Sequence, residues 1–95
     1  MVRIHIVYIE WDDEHINKLK RDHGLEVYDV DEAIVRDPDR RAKWVSSQKH
    51  GRRLMVTGYS ECHGKAIIAF LDPVNEREGI RRIRTAWEVR PGETR

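Results

Sequence analysis

The side chains best equipped for chemistry in this 95-residue chain are arginines, and most of them fall after residue 35. Residues 1–35 carry four basic and nine acidic side chains, whereas residues 36–95 carry fourteen basic and eight acidic, so a net charge of +1 conceals a −5 segment followed by a +6 segment. A guanidinium grips a phosphate through two parallel hydrogen bonds where an ammonium acts as a point charge, so an arginine-rich segment beside an acidic one points to polyanion contact on one surface. The competing reading is a solvated surface of mixed charge.

Five histidines and the single cysteine, Cys62, offer less. His50 and His63 flank one expected strand, and a rise of about 3.3 Å per residue sets them more than about 20 Å apart, too far to act together on one phosphate. Cys62 and His63 are neighbours without a second ligand pair at zinc-site spacing. His23 falls on the apolar side of an expected helix, where a partly buried, hydrogen-bonded histidine is the ordinary outcome; His15 flanks that side, and His5 lies on the less apolar side of the first strand. No glycine-rich phosphate loop, nucleophile elbow or metal-binding helix motif occurs, which sets aside nucleotide hydrolases, serine hydrolases and zinc proteases; no cofactor is expected. A lone thiol fits a reducing compartment, with the cytoplasm as the default. The apolar run Val2 to Ile9 is broken by Arg3 and His5 and followed by acids, so neither a signal peptide nor a membrane span is expected.

What must position these groups is a small, polar domain: 39% apolar and 37% charged residues suit one thin core spanning 1–95. Period-two alternation from Val2 to Trp11 predicts a first strand. Asp12 or Asp13 then caps a helix over residues 14–23, with Ile16, Leu19 and His23 on one side and Gly24 as its left-handed stop. A second helix follows from about Val27 to Arg36, ending before Pro38. Three further alternating runs, Arg41 to Ser46, Arg53 to Tyr59 and Lys65 to Leu71, are separated by short turns; the last is nearly all apolar and reads as a central strand buried on both faces. A final strand covers Ile80 to Val89. The fold class is therefore α+β: an antiparallel sheet of four to five strands with a two-helix hairpin on one face, in the order β-α-α-β-β-β-β.

Strand alternation then sorts the charges. Ile83, Thr85, Trp87 and Val89 are expected on the core side, with Arg82, Arg84 and Ala86 opposite; Ala42, Trp44, Leu54 and Val56 also turn inward. The bare side gathers Arg41, Lys43, Arg53, Arg82 and Arg84, with Tyr59 and Phe70 among them, a plausible floor for RNA phosphates and stacked bases. Basic sheet faces also serve simply to discourage edge association.

Several landmarks recur in order. Glu10-Trp11-Asp12 leads into a helix ending His23-Gly24; a Glu/Val/Asp-rich helix spans Glu26 to Ile34; Gly51-Arg52-Arg53-Leu54-Met55-Val56 follows, then Arg82-Ile83-Arg84-Thr85-Ala86-Trp87 and Pro91-Gly92-Glu93. Together these resemble the BrnT family of bacterial toxins and its relatives, over most of the chain. The resemblance implies a RelE-like fold, a ribonuclease that inhibits translation as the toxin of a type II toxin–antitoxin system, and a ribbon-helix-helix antitoxin as partner, in a heterotetramer if the toxin does not simply form a homodimer. It implies RNA cleavage without metal, on free or ribosome-bound RNA, by attack of the ribose 2′-hydroxyl on the adjacent phosphorus. On that basis Arg53 and Arg82 are expected to hold the phosphate with Lys43 and Arg84 assisting, Arg41, Arg52 and Tyr59 to contact RNA, and Glu93 or a histidine to move the proton. The alternative is an inactive relative that keeps the scaffold as an RNA-binding or protein-interaction module.

Overall fold

The computed structural model describes residues 4–49, 51–61 and 64–89. His50, Cys62, His63, Glu93 and the Pro91-Gly92 segment lie outside the described residues.

Helix α1 (Asp13–His23) forms where the sequence supplies both ends. The Asp12 carboxylate accepts the His15 backbone N–H at 2.8 Å, Asp13 and Glu14 occupy the positive first turn, and Lys20, Arg21 and His23 the negative last one. Gly24 closes it at φ +63°, with its N–H and that of Leu25 donating to the Lys20 and Leu19 carbonyls. Leu19 is the side chain it buries, against Ile83. His23 is exposed rather than partly buried.

Helix α2 (Val27–Asp31) is shorter than its apolar stripe implies, because the backbone widens into a π-helical segment, Glu32–Arg36. The widening coincides with a close approach to the sheet: a Cβ at Gly58 would sit 1.7 Å from the Ala33 carbonyl oxygen, so only glycine permits the contact. Glu32 is tied there too, accepting the Ser60 hydroxyl at 2.6 Å and the Tyr28 hydroxyl at 3.2 Å.

Five strands complete the fold: β1 (Tyr8–Glu10), β2 (Arg41–Ser47), β3 (Gly51–Ser60), β4 (Lys65–Asn75) and β5 (Ile80–Glu88), in the spatial order β1-β5-β4-β3-β2. The expected all-antiparallel sheet is corrected at one pair, since β1 runs parallel to β5. Three hairpin reversals separate β2 from β5, so a β2 that enters antiparallel to β1 leaves β5 parallel to it. The molecule is α+β, with a mixed sheet of five strands and two helices on one face. Its core lies between them, built from Ile9, Val30, Ile34, Leu54, Ile67 and Ile83 among others. Each such aliphatic side chain contributes about 1.5–3 kcal/mol on burial. No helix among the described residues is long and apolar enough to cross a membrane.

The β4–β5 ladder contains a bulge that reassigns a face. Phe70 pairs with Thr85 but Leu71 with Ile83, leaving Arg84 as the extra residue. Ile83 and Ala86 therefore both point into the core, at 0% exposure, while Thr85 and Trp87 turn to the bare side. Trp87 stacks there on Phe70 at 5.5 Å between ring centroids. The expected grouping of Thr85 and Trp87 with the core, and of Ala86 with the arginines, is reversed by that single inserted residue.

Candidate nucleic-acid interface

The face of the sheet away from the helices is organised by one row of charges. Glu10 pairs in register with Arg82, Arg82 with Asp72, and Val45 with Arg53; Arg53 and Asp72 meet across β3 and β4. The row thus runs Glu10, Arg82, Asp72, Arg53 across four strands with alternating sign. Arg82 Nη2 donates to Glu10 Oε1 at 3.2 Å, and Arg53 Nε to Asp72 Oδ1 at 3.2 Å. The bulge swings Arg84 onto the same carboxylate, with Nε 3.1 Å from Asp72 Oδ2. One carboxylate therefore orients two guanidinium groups through their Nε atoms, leaving their terminal Nη groups for other acceptors. The arrangement carries a local excess of one positive charge in a partly exposed setting, where attraction for a phosphate is modest per group and grows with the number of contacts.

At the β1–β5 edge the row opens into a cleft of about 440 Å³ lined by Tyr8, Glu10, Trp11, Asp12 and Arg82. Here two carboxylates, one guanidinium and the Tyr8 ring line the same space, with Trp11 at its edge where it also packs against the core. Asp12 is fixed at its rim by the His15 backbone N–H and by His15 Nδ1 at 2.6 Å. The His15 backbone hydrogen bond, and after it the His15 side chain, hold the Asp12 carboxyl below its ordinary value of 3.8. A depressed folded value gives stability that is complete above the unfolded value and lost as pH falls through the folded one. The first turn of α1 is accordingly expected to fray on acidification below pH 3.8, read as faster amide exchange at His15, while sheet amides stay protected.

At the opposite end, between β2 and β3, lies a second groove of about 460 Å³. Arg41 and Lys43 line it from β2, and Met55, Thr57 and Tyr59 from β3. Arg41 pairs with Thr57 and Lys43 with Met55, so all project from the bare side. Neither Arg41 nor Lys43 has an ion-pair partner among the described residues, unlike Arg53, Arg82 and Arg84.

Of the residues singled out from sequence, Arg41, Lys43, Arg53, Tyr59, Arg82 and Arg84 share this face, with Arg41, Lys43 and Tyr59 in the groove and the other three in the charged row. Arg52 does not join them: it pairs with Ser46 and lies 4.2 Å over the Trp44 ring, on the helix side. Glu93 lies outside the described residues. Sequence reasoning missed the acids, since Glu10, Asp72, Asp37 and Asp39 stand among the cations. Alternation alone places Glu10 with Tyr8 on one side of β1, but the Arg82 opposite it comes from a strand 72 residues away. Among the described residues no group of three or more histidine, cysteine, aspartate or glutamate side chains is arranged to hold a metal ion. Comparison with protein-family models, with curated proteins and with solved structures finds no match.

Proposed function

We propose that the bare sheet face binds single-stranded RNA and that the β1–β5 cleft cleaves it without a metal, as expected of a BrnT-like toxin that inhibits translation and is neutralised by a ribbon-helix-helix antitoxin. The observation that carries this reading is the Glu10–Arg82 pair at 3.2 Å in an open cleft, continued by Arg53 and Arg84 along the row. A ribonuclease of this chemistry needs a proton acceptor for the 2′-hydroxyl and fixed cations for the phosphate. Glu10 takes the first role; its carboxylate removes the 2′-hydroxyl proton as the oxygen attacks phosphorus. Arg82 neutralises the phosphate oxygens as charge builds, and the bond to the 5′ oxygen breaks as that oxygen takes a proton from water, leaving a 2′,3′-cyclic phosphate and a free 5′-hydroxyl. Tyr8, exposed in the cleft, provides a ring against which a flanking base stacks. Cytoplasmic RNA is the substrate this reading requires.

A second reading has its own support. Arg53 and Arg84 already share the Asp72 carboxylate, an arrangement suited to holding RNA without turnover. Induced expression with growth and RNA integrity followed together separates the two. The toxin reading expects growth arrest with RNA fragments ending in cyclic phosphate for the wild type and neither for Arg82→Ala; intact RNA and normal growth with both proteins favour the binding module.

A further inference from the structure

The groove between β2 and β3 is built for more than phosphate contact. Asp37 begins a turn in which Pro38 fixes the backbone and the Arg40 N–H returns to the Asp37 carbonyl at 3.3 Å. The Asp37 carboxylate holds that turn from both sides, accepting the Asp39 N–H at 2.9 Å through Oδ1 and the Tyr59 N–H at 2.9 Å through Oδ2. The turn is therefore stapled to β3, and it displays the exposed Asp39 carboxylate at the groove wall. No hydrogen bond or ion pair engages the Asp39 side chain among the described residues.

Three chemistries thus meet in one groove of nucleotide size: a half-exposed aromatic ring at Tyr59, unpaired cations at Arg41 and Lys43, and a carboxylate held out by a rigid turn. Ala66, paired with Tyr59 on β4, is small enough to leave the ring uncovered. A carboxylate would repel phosphate, so it has no use in a simple polyanion track; it is suited instead to a base edge that donates. Guanine alone presents two adjacent donors, N1–H and the N2 amino group, that match the two oxygens of a carboxylate. Adenine and cytosine offer a single amino group there and uracil a single imino N–H.

We infer that this groove is a guanine-selective nucleotide subsite, with the base stacked on Tyr59, its Watson–Crick edge on Asp39, and its phosphates on Arg41 and Lys43. The inference rests on the RNA-binding reading of the face and adds to it a base preference and a place for it. Strand spacing and rise put the groove on the order of 20 Å from the Glu10–Arg82 cleft, so the base that is read lies several nucleotides from the bond that is cut. Selectivity and cleavage are therefore separable.

The test is binding of short oligouridylates carrying a single G, A or C at each successive position, measured with the full chain and with Asp39→Asn and Tyr59→Leu. The expected result is a preference of about 10-fold for G at one position, the scale of a bidentate base contact. Asp39→Asn removes that preference while binding of the all-uridine strand is kept or tightened, and Tyr59→Leu weakens every sequence at that position. Equal affinity for all bases in the wild type, or an unchanged G preference in Asp39→Asn, overturns the subsite and leaves RNA binding standing. Absence of any RNA binding overturns both.

Discussion

Replacing Glu10 with glutamine is expected to lower the single-turnover rate of RNA cleavage by about 10²- to 10⁴-fold, the range a positioned general base supplies. The amide keeps the size of the side chain and an oxygen for Arg82 Nη2, so the edge of the sheet retains its geometry. What it loses is the capacity to accept a proton from the 2′-hydroxyl. Because one negative charge also leaves the face, RNA affinity should hold or rise, and the loss should appear in the rate and not in binding. Arg82→Ala divides differently, costing about 10²- to 10³-fold in rate through lost transition-state stabilisation and weakening binding as well. Cleavage by Glu10→Gln at the wild-type rate would remove Glu10 from the mechanism and return the proton to another group, Glu93 or a histidine being the candidates from sequence.

Arg81 is the second position of large expected effect, although it faces away from the bare side of the sheet. It is the largest fully buried side chain among the described residues, 1% exposed, on the core side of the sheet. Its Nε and Nη2 donate to the His5 carbonyl at 3.2 and 3.0 Å, its Nη1 meets Glu76 at 2.5 Å, and its guanidinium lies 5.5 Å from the Trp44 ring centroid. Strand β1 has only three residues in register with β5, so these contacts to the segment just before it help to hold the strand in place. Arg81→Met preserves much of the volume but strands the His5 carbonyl. Glu76 is half-exposed and recovers water, so its loss counts for little. The cost is therefore set by the orphaned carbonyl and the lost packing, about 2–3 kcal/mol, or a fall in Tm of roughly 10–20 °C for a domain of this size. Thermal unfolding measures this directly. Cleavage assayed well below the new midpoint should also fall, because a loosened β1 carries Glu10 away from Arg82. An unchanged Tm would mean that the buried guanidinium is replaceable by an apolar side chain at no cost.

Much of this architecture is legible in local chemistry. Helix α1 announces itself through Asp12, its charge gradient and Gly24, and the strands β2 to β5 through alternation punctuated by Gly51, Gly64 and Gly79, each of which adopts a positive φ. The basic side of the sheet follows from the same alternation. What escaped depends on partners distant in sequence. The bulge at Arg84 leaves no mark, since Ile83, Thr85 and Trp87 form an unbroken period-two series whether or not the ladder slips. The π-helical turn coincides with the close approach of Ala33 to Gly58, a contact between a helix and a strand about 25 residues later. Alternation puts Arg81 on the core side with Ile83, but a role for a buried guanidinium there emerges only once β1 is known to lie beside β5. The acids of the site are illegible for the same reason: Asp72 gains its meaning only from Arg53 and Arg84 on either side.

RNA is proposed to contact one side of this sheet. The most direct test is the salt dependence of affinity for a short single-stranded oligoribonucleotide, compared between alanine variants on the two sides of the molecule. Arg41, Lys43 and Arg82 represent the bare face; Arg21 and Arg36, 72% and 69% exposed on the helical layer, serve as matched controls of equal charge change. Each bare-face variant should weaken binding and reduce the slope of log affinity against log salt by about 0.7, the value for one lost contact to a single strand, while the two controls match the wild type. Equal losses from both sets would show that RNA responds to overall charge and not to the face, and would contradict the account.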